Sequence, residues 1–105
     1  MTRYKIVITK DTVNDLKRYL SYIKYNLKNK HALKNVRDDF DLTSASLSKT
    51  AGAIPDPESP KLISRGLKRI NFKQHDYFIL FRIRDDTVEV VQMFHASEDF
   101  ENKLR

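Results

Sequence analysis

Two side chains in the last third of the chain have the types and spacing of an acid–base pair. His95 ends the β-branched run Thr87–His95, and Asp76 precedes the uninterrupted apolar run Tyr77–Phe81. Such an apolar run fits a strand covered on both faces, the centre of a sheet. If Asp85 and Asp86 are the central residues of a two-residue hairpin turn, Arg84 faces Thr87 and Arg82 faces Glu89, an opposite-charge pair that supports the register. The same ladder sets Leu80 against Val91, Phe78 against Met93 and Asp76 against His95, all on one side of the sheet. A three-residue loop or a bulge would undo it. An imidazole exchanges a proton near neutral pH, and a neighbouring carboxylate orients it or holds its charged form. The plainer readings are a strand-end histidine that only packs, a structural His–Asp hydrogen bond, and an Arg82–Glu89 surface pair worth about 0.2–1 kcal/mol.

The positive charge gathers beside this pair. Lys61, Arg65, Lys68, Arg69, Lys73, Arg82 and Arg84 stand against the single acid Asp76, so this segment alone carries the +6 of the whole chain. Arg3–Lys34 is also strongly basic, and Asp85–Arg105 is acidic overall. Clustered cations suit a phosphate-rich or acidic partner. A solvated face on a lysine-rich protein is the alternative. The chain has no cysteine, which excludes disulfides and thiolate metal sites and is compatible with a reducing compartment. No other spacing suggests a metal, and no cofactor is expected. His31 and His75 read as exposed and without a role, and Met93 and the phenylalanines as core. No run of about eighteen apolar residues exists, so a soluble cytoplasmic protein without a membrane partner is expected.

With 105 residues, one domain over residues 1–105 is expected. Tyr4–Ile8 alternates as a first strand. Thr9 can cap a helix from Lys10, with Asp11 in its first turn. Val13, Leu16, Leu20, Ile23 and Leu27 form one apolar stripe, and Leu33, Val36, Phe40 and Leu47 a second, over about Lys30–Leu47. The break at Asn26–Asn29 lacks Gly or Pro, so a single bent helix is an alternative to the preferred antiparallel hairpin. Ser48–Lys61, with Gly52, Pro55, Pro57 and Pro60, reads as a loop, and Leu62–Lys73 as strand-like, with Gly66 marking a bend or a close approach. Ser97 can cap a short terminal helix docked by Phe100 and Leu104. The expected architecture is α+β: an N-terminal strand, a two-helix antiparallel hairpin, a three-stranded antiparallel meander completing a small twisted sheet, and a short C-terminal helix. How the first strand joins the sheet is left open.

Gly66–Arg69, Asp76–Ile83 and Val90–His95, together with Tyr4–Thr9, Asp15–Leu16 and Tyr22–Ile23, resemble the RelE/ParE superfamily of bacterial type II toxin–antitoxin toxins over nearly the whole chain. The resemblance implies a small toxin neutralised by a cognate antitoxin that wraps around it, and contact with operator DNA only through that complex. One branch cuts messenger RNA in the ribosomal A site; the ParE branch poisons DNA gyrase without nuclease chemistry. His95 aligns with the family's strand-end histidine, Asp76 with a carboxylate of some ribosome-dependent members, and Arg65, Lys68 and Arg69 with its basic segment. Members similar to YoeB carry an arginine in the central strand where this chain has Phe78, and an aromatic residue where it has Ala96.

On that resemblance the sequence is read as an endoribonuclease. Attack of a 2′-hydroxyl on the adjacent phosphate needs a base, an acid and positive charge; His95 with Asp76 would supply the first two, and Arg65, Lys68, Arg69 or Arg82 the third. The alternatives are a gyrase poison that binds through its helical hairpin, and an inactive member kept as an antitoxin-binding partner.

Overall fold

Thr9 turns the first corner of the chain. The computed structural model describes residues 3–105, with β1 at Lys5–Ile8 and α1 at Lys10–Tyr22. The Thr9 hydroxyl accepts the Thr12 N–H at 3.2 Å, an N-cap. The Thr9 N–H and the buried Thr12 hydroxyl both donate to the Val90 carbonyl, at 3.1 and 2.9 Å. The corner is thereby fixed to the last strand.

The expected break between the helices is real. Ile23–Leu27 forms one turn of π-helix, Lys28 takes left-handed backbone (φ 52°), and the Asn29 side chain accepts the Ala32 N–H at 3.0 Å to start α2, Lys30–Thr50. One element of the predicted stripe fails here. Ile23 is buried, but Leu27 is 57% exposed, because the wider π turn rotates it off the face that α-helical spacing would give it. On α2, Val36, Phe40 and Leu47 are buried as expected.

Residues 48–61 are less loop-like than their composition suggests, since α2 continues to Thr50 and a 3-10 turn follows at Ala51–Ala53. Ser59 then caps a short helix α3, Pro60–Ser64, with proline in its first turn. Leu62, read as strand-like, is a buried residue of α3. Gly66 (φ +68°) ends this helix; a Cβ there would touch nothing, so the requirement is conformational.

Strands β2 (Lys68–Asn71), β3 (Tyr77–Arg84) and β4 (Thr87–His95) form the antiparallel meander, and β1 adds to the outer edge of β4 in parallel, giving the order β1-β4-β3-β2. Both long helices pack on one face, over Ile79, Phe81, Val88, Val90 and Met93. The other face is closed by Leu62, Leu67, Phe100 and Leu104 over Phe78, Leu80 and Phe94.

The hairpin turn is as expected, with Asp85 in left-handed backbone (φ 53°) and Arg84 and Arg82 opposite Thr87 and Glu89. Beyond that the predicted ladder breaks. A bulge leaves Val91 without a partner, so Leu80 faces Gln92, Ile79 faces Met93, Phe78 faces Phe94 and Tyr77 faces His95. Asp76 is therefore not opposite His95, and neither the Leu80–Val91 nor the Phe78–Met93 pair forms. The C-terminal segment also differs: Phe100–Asn102 is a 3-10 turn without a side-chain cap, and Ser97 bonds His95 instead. Phe100 and Leu104 dock as expected.

His75 is not free. The carboxylate of Asp39, buried on α2, accepts the N–H groups of Lys73, Gln74 and His75 at 3.1–3.3 Å and meets His75 Nδ1 at 2.9 Å. This cap fixes the turn between β2 and β3.

Candidate functional site

The bulge decides where His95 points. Beyond it His95 shares the helix-covered side with Met93, its ring standing edge-on to Tyr77 at 4.9 Å, and Tyr77 meets Tyr19 of α1 at 5.3 Å. These three line a cavity of about 530 Å³ with Arg18, Tyr22, Leu27, Ser97 and Glu98.

The polar groups around His95 have backbone work to do. Strand β1 pairs β4 only as far as Val90, so the outer edge of Val91–His95 has no neighbouring strand. Unpaired backbone groups at an edge need partners, and side chains provide them. Buried Asp15 accepts the Met93 N–H at 3.1 Å, Glu98 accepts the His95 N–H at 2.8 Å, and Arg105 donates to the Val91 carbonyl at 2.9 Å. Arg105 also forks onto Asp15 with two 3.0 Å bonds, and Asp15 with its aspartate neighbour Asp11 raises the guanidinium pKa above its ordinary value against the pull of burial.

Glu98 is the centre of the cluster. It accepts the Tyr19 hydroxyl and the His95 N–H, and its second oxygen meets Lys103 Nζ at 3.1 Å. Burial pushes its carboxyl up, but these donors and the Lys103 charge outweigh it and hold the pKa below the usual value. Burial, then the bond and charge of Glu98, push the Tyr19 phenol well above its ordinary range; burial and Glu98 raise Tyr77 as well. On His95, the Ser97 N–H and hydroxyl both reach Nδ1, at 3.1 and 2.7 Å. An N–H aimed at Nδ1 selects the tautomer with its proton on Nε2. A free base at Nε2 would need that proton on Nδ1, against the Ser97 N–H.

The other predicted residues lie elsewhere. Asp76 is exposed, and only its carbonyl reaches this end of β4, accepting the Ala96 N–H at 2.7 Å. Lys68 donates to the Ile54 carbonyl at 2.6 Å, pinning the loop before α3. Arg69 lies on the face away from the long helices, stacked 3.7 Å over the Phe78 ring, and its burial lowers the guanidinium pKa. Arg65 and Arg82 do come together, lining a groove of about 600 Å³ on that face with Arg84 and Arg105, alongside Asp11 and Glu89. The cross-strand ion pair is made by Arg84, 3.3 Å from Glu89, while the buried Arg82 Nε has no hydrogen-bond partner among the described residues. His95 and Lys68 thus lie on the helix-covered side, and Arg65, Arg69 and Arg82 on the other. Sequence reasoning missed Tyr19, Glu98 and Arg105. Glu98 follows His95 by three residues, a spacing that can close onto the strand, but Asp15 and Arg105 carry no local signal of meeting.

Among solved structures, a chain of the chromosomal ParDE toxin–antitoxin system from P. aeruginosa superposes with a TM-score of 0.73 at 15% identity, over 90% of this chain and 98% of that one. The E. coli toxin RelE, as a mutant bound to a RelB antitoxin peptide, superposes with a TM-score of 0.50 at 12% identity, over 99% and 97%. No curated protein sequence matches the chain. A four-stranded mixed sheet with a helical hairpin on one face and a short tail on the other is the fold of the RelE/ParE superfamily of type II toxins. Within it, this chain belongs to the family described as ParE toxin of type II toxin-antitoxin system, parDE, whose model matches residues 6–100.

Proposed function

We propose that this toxin, held in check by a cognate antitoxin, acts on DNA gyrase and does not cut messenger RNA. One observation carries the reading: the bulge at Val91 turns His95 toward Tyr19 and Tyr77, away from the Asp76 carboxylate and from the arginine groove. A nuclease site needs base, acid and phosphate-binding cations around one phosphate. Membership of the ParE family adds weight on the same side. Operator DNA would be met only through the antitoxin complex.

The ribosome-dependent endoribonuclease is the second reading, favoured by the Arg65–Arg82–Arg84 groove, which suits a phosphate chain. Purified toxin should inhibit supercoiling by gyrase and trap cleaved DNA, and should leave a defined messenger intact on programmed ribosomes, as mapped by primer extension. His95→Ala, if folded, should retain the gyrase effect. Cuts confined to the ribosomal A site and lost in His95→Ala would overturn the proposal in favour of the second reading.

A further inference from the structure

The tip of the helical hairpin combines charge and exposed rings in a way the fold does not need. From Leu16 to Arg37 the chain carries seven basic residues and no aspartate or glutamate. All seven are exposed, and among the described residues only Arg18 pairs with a carboxylate, Asp15 at 3.4 Å. On the same tip Tyr22, Tyr25 and Leu27 are 55, 65 and 57% exposed. The π turn at Ile23–Leu27 keeps Ile23 in the core while turning its neighbours outward. Two cavities adjoin the tip: the one of about 530 Å³ that includes Tyr22 and Leu27, and one of about 520 Å³ formed by Lys24, Tyr25, Lys28, Asn29, Lys30 and Leu33.

We infer that this tip binds single-stranded nucleic acid, with phosphates on Lys24, Lys28 and Lys30 and unpaired bases against Tyr22 and Tyr25. Charge complementarity selects a polyanion, and the rings select its kind. A strand of nucleic acid carries phosphates beside flat bases, as this tip carries cations beside rings, with Lys24 Nζ 5.1 Å from the centre of the Tyr25 ring, and stacking on exposed aromatics is a sequence-tolerant way to hold such a strand. A duplex keeps its base faces covered and would use the lysines alone. An acidic protein would meet the lysines equally well but has no regular repeat of flat rings. The inference is independent of the target of the toxin; failure of the gyrase reading leaves it standing.

The test is fluorescence anisotropy of a labelled oligothymidylate with the full chain across a salt series. Binding should weaken with salt, and Lys24→Gln, Lys28→Gln and Lys30→Gln together should reduce the slope of log affinity against log salt by about 2, since each phosphate contact on a single strand contributes about 0.7. Tyr22→Ser with Tyr25→Ser should lower affinity about thirtyfold or more and leave the slope unchanged. Three lysines removed elsewhere, Lys5→Gln, Lys49→Gln and Lys61→Gln, serve as the charge-matched control. Equal weakening in that control, equal binding of a duplex, equally effective displacement by poly-L-glutamate, or indifference to the tyrosine substitutions would each overturn the inference. Amide shifts of the unsubstituted chain give a readout that does not depend on any variant folding: oligothymidylate should move residues 22–30, and shifts confined to other regions would also overturn it.

Discussion

The two halves of β4 solve one problem by different means. From Thr87 to Val90 the strand is flanked by β1 and β3, and backbone satisfies backbone. From Val91 to His95 only β3 is present, and the outer edge is closed by Asp15, Glu98 and Arg105, drawn from α1 and from the end of the chain. The first half needs only β-forming residues of the right parity. The second needs buried or half-buried charges in fixed positions, so its polar residues are accounted for by the strand before any chemistry is assigned to them.

Closure of the outer edge depends most on Asp15. The carboxylate is 2% exposed and holds both the Met93 N–H and the Arg105 fork. Asp15→Ala orphans a buried N–H and strips Arg105 of its fork, and should cost about 3–4 kcal/mol in denaturant unfolding. Arg105→Ala should cost less, about 2 kcal/mol, because the guanidinium is 42% exposed. The double variant should cost less than the two single variants combined, since both remove the same fork. Additive costs would mean that the fork itself contributes nothing to stability.

Glu98 comes next, with a signature in pH. Its folded pKa is lowered by Tyr19, the His95 N–H and Lys103 against the effect of burial. A carboxylate with a depressed folded pKa contributes stability above its unfolded pKa, and that stability is lost as pH falls through the folded value. Glu98→Gln should therefore cost about 1 kcal/mol at neutral pH, roughly 4–8 °C in Tm for a domain of this size. The difference from the parent should shrink at acidic pH. Asp39, lowered by His75 and three N–H groups despite its burial, titrates in the same direction and serves as the internal reference, being untouched in the variant.

Much of this was open to a reader of the sequence. The cap at Thr9, the turn at Asp85–Asp86 and the two helices rest on contacts within a few residues, and local signals reported them; the meander follows because its strands are neighbours in the chain joined by short turns. The bulge had a signal too. In Val88-Glu89-Val90-Val91-Gln92-Met93-Phe94-His95, strict alternation would bring Gln92 to the helix-covered side of Val88 and Val90 and send Met93 away from it. One extra residue at Val91 restores Met93 to the core and leaves Gln92 to bond the tail at Lys103 and Arg105. The position of Asp76 relative to His95 hung on that single residue. The parallel docking of β1 and the meeting of Asp15 with Arg105 are long-range events with no periodic trace.

Ser97 carries the smallest effect and the sharpest test of what the second half of β4 leaves to His95. Its hydroxyl is exposed, so Ser97→Ala should change stability by no more than about 0.5 kcal/mol. The N–H of residue 97 survives the substitution and still aims at Nδ1. The ring of neutral His95 should accordingly keep its proton on Nε2, visible in the nitrogen-15 shifts of the imidazole. If the tautomer instead moved to Nδ1 once the hydroxyl was gone, Nε2 of a residue lining the cavity with Tyr19 and Tyr22 would carry a free lone pair. A general base would then be available at the strand end, and His95 would have a chemical role beyond closing the edge of β4.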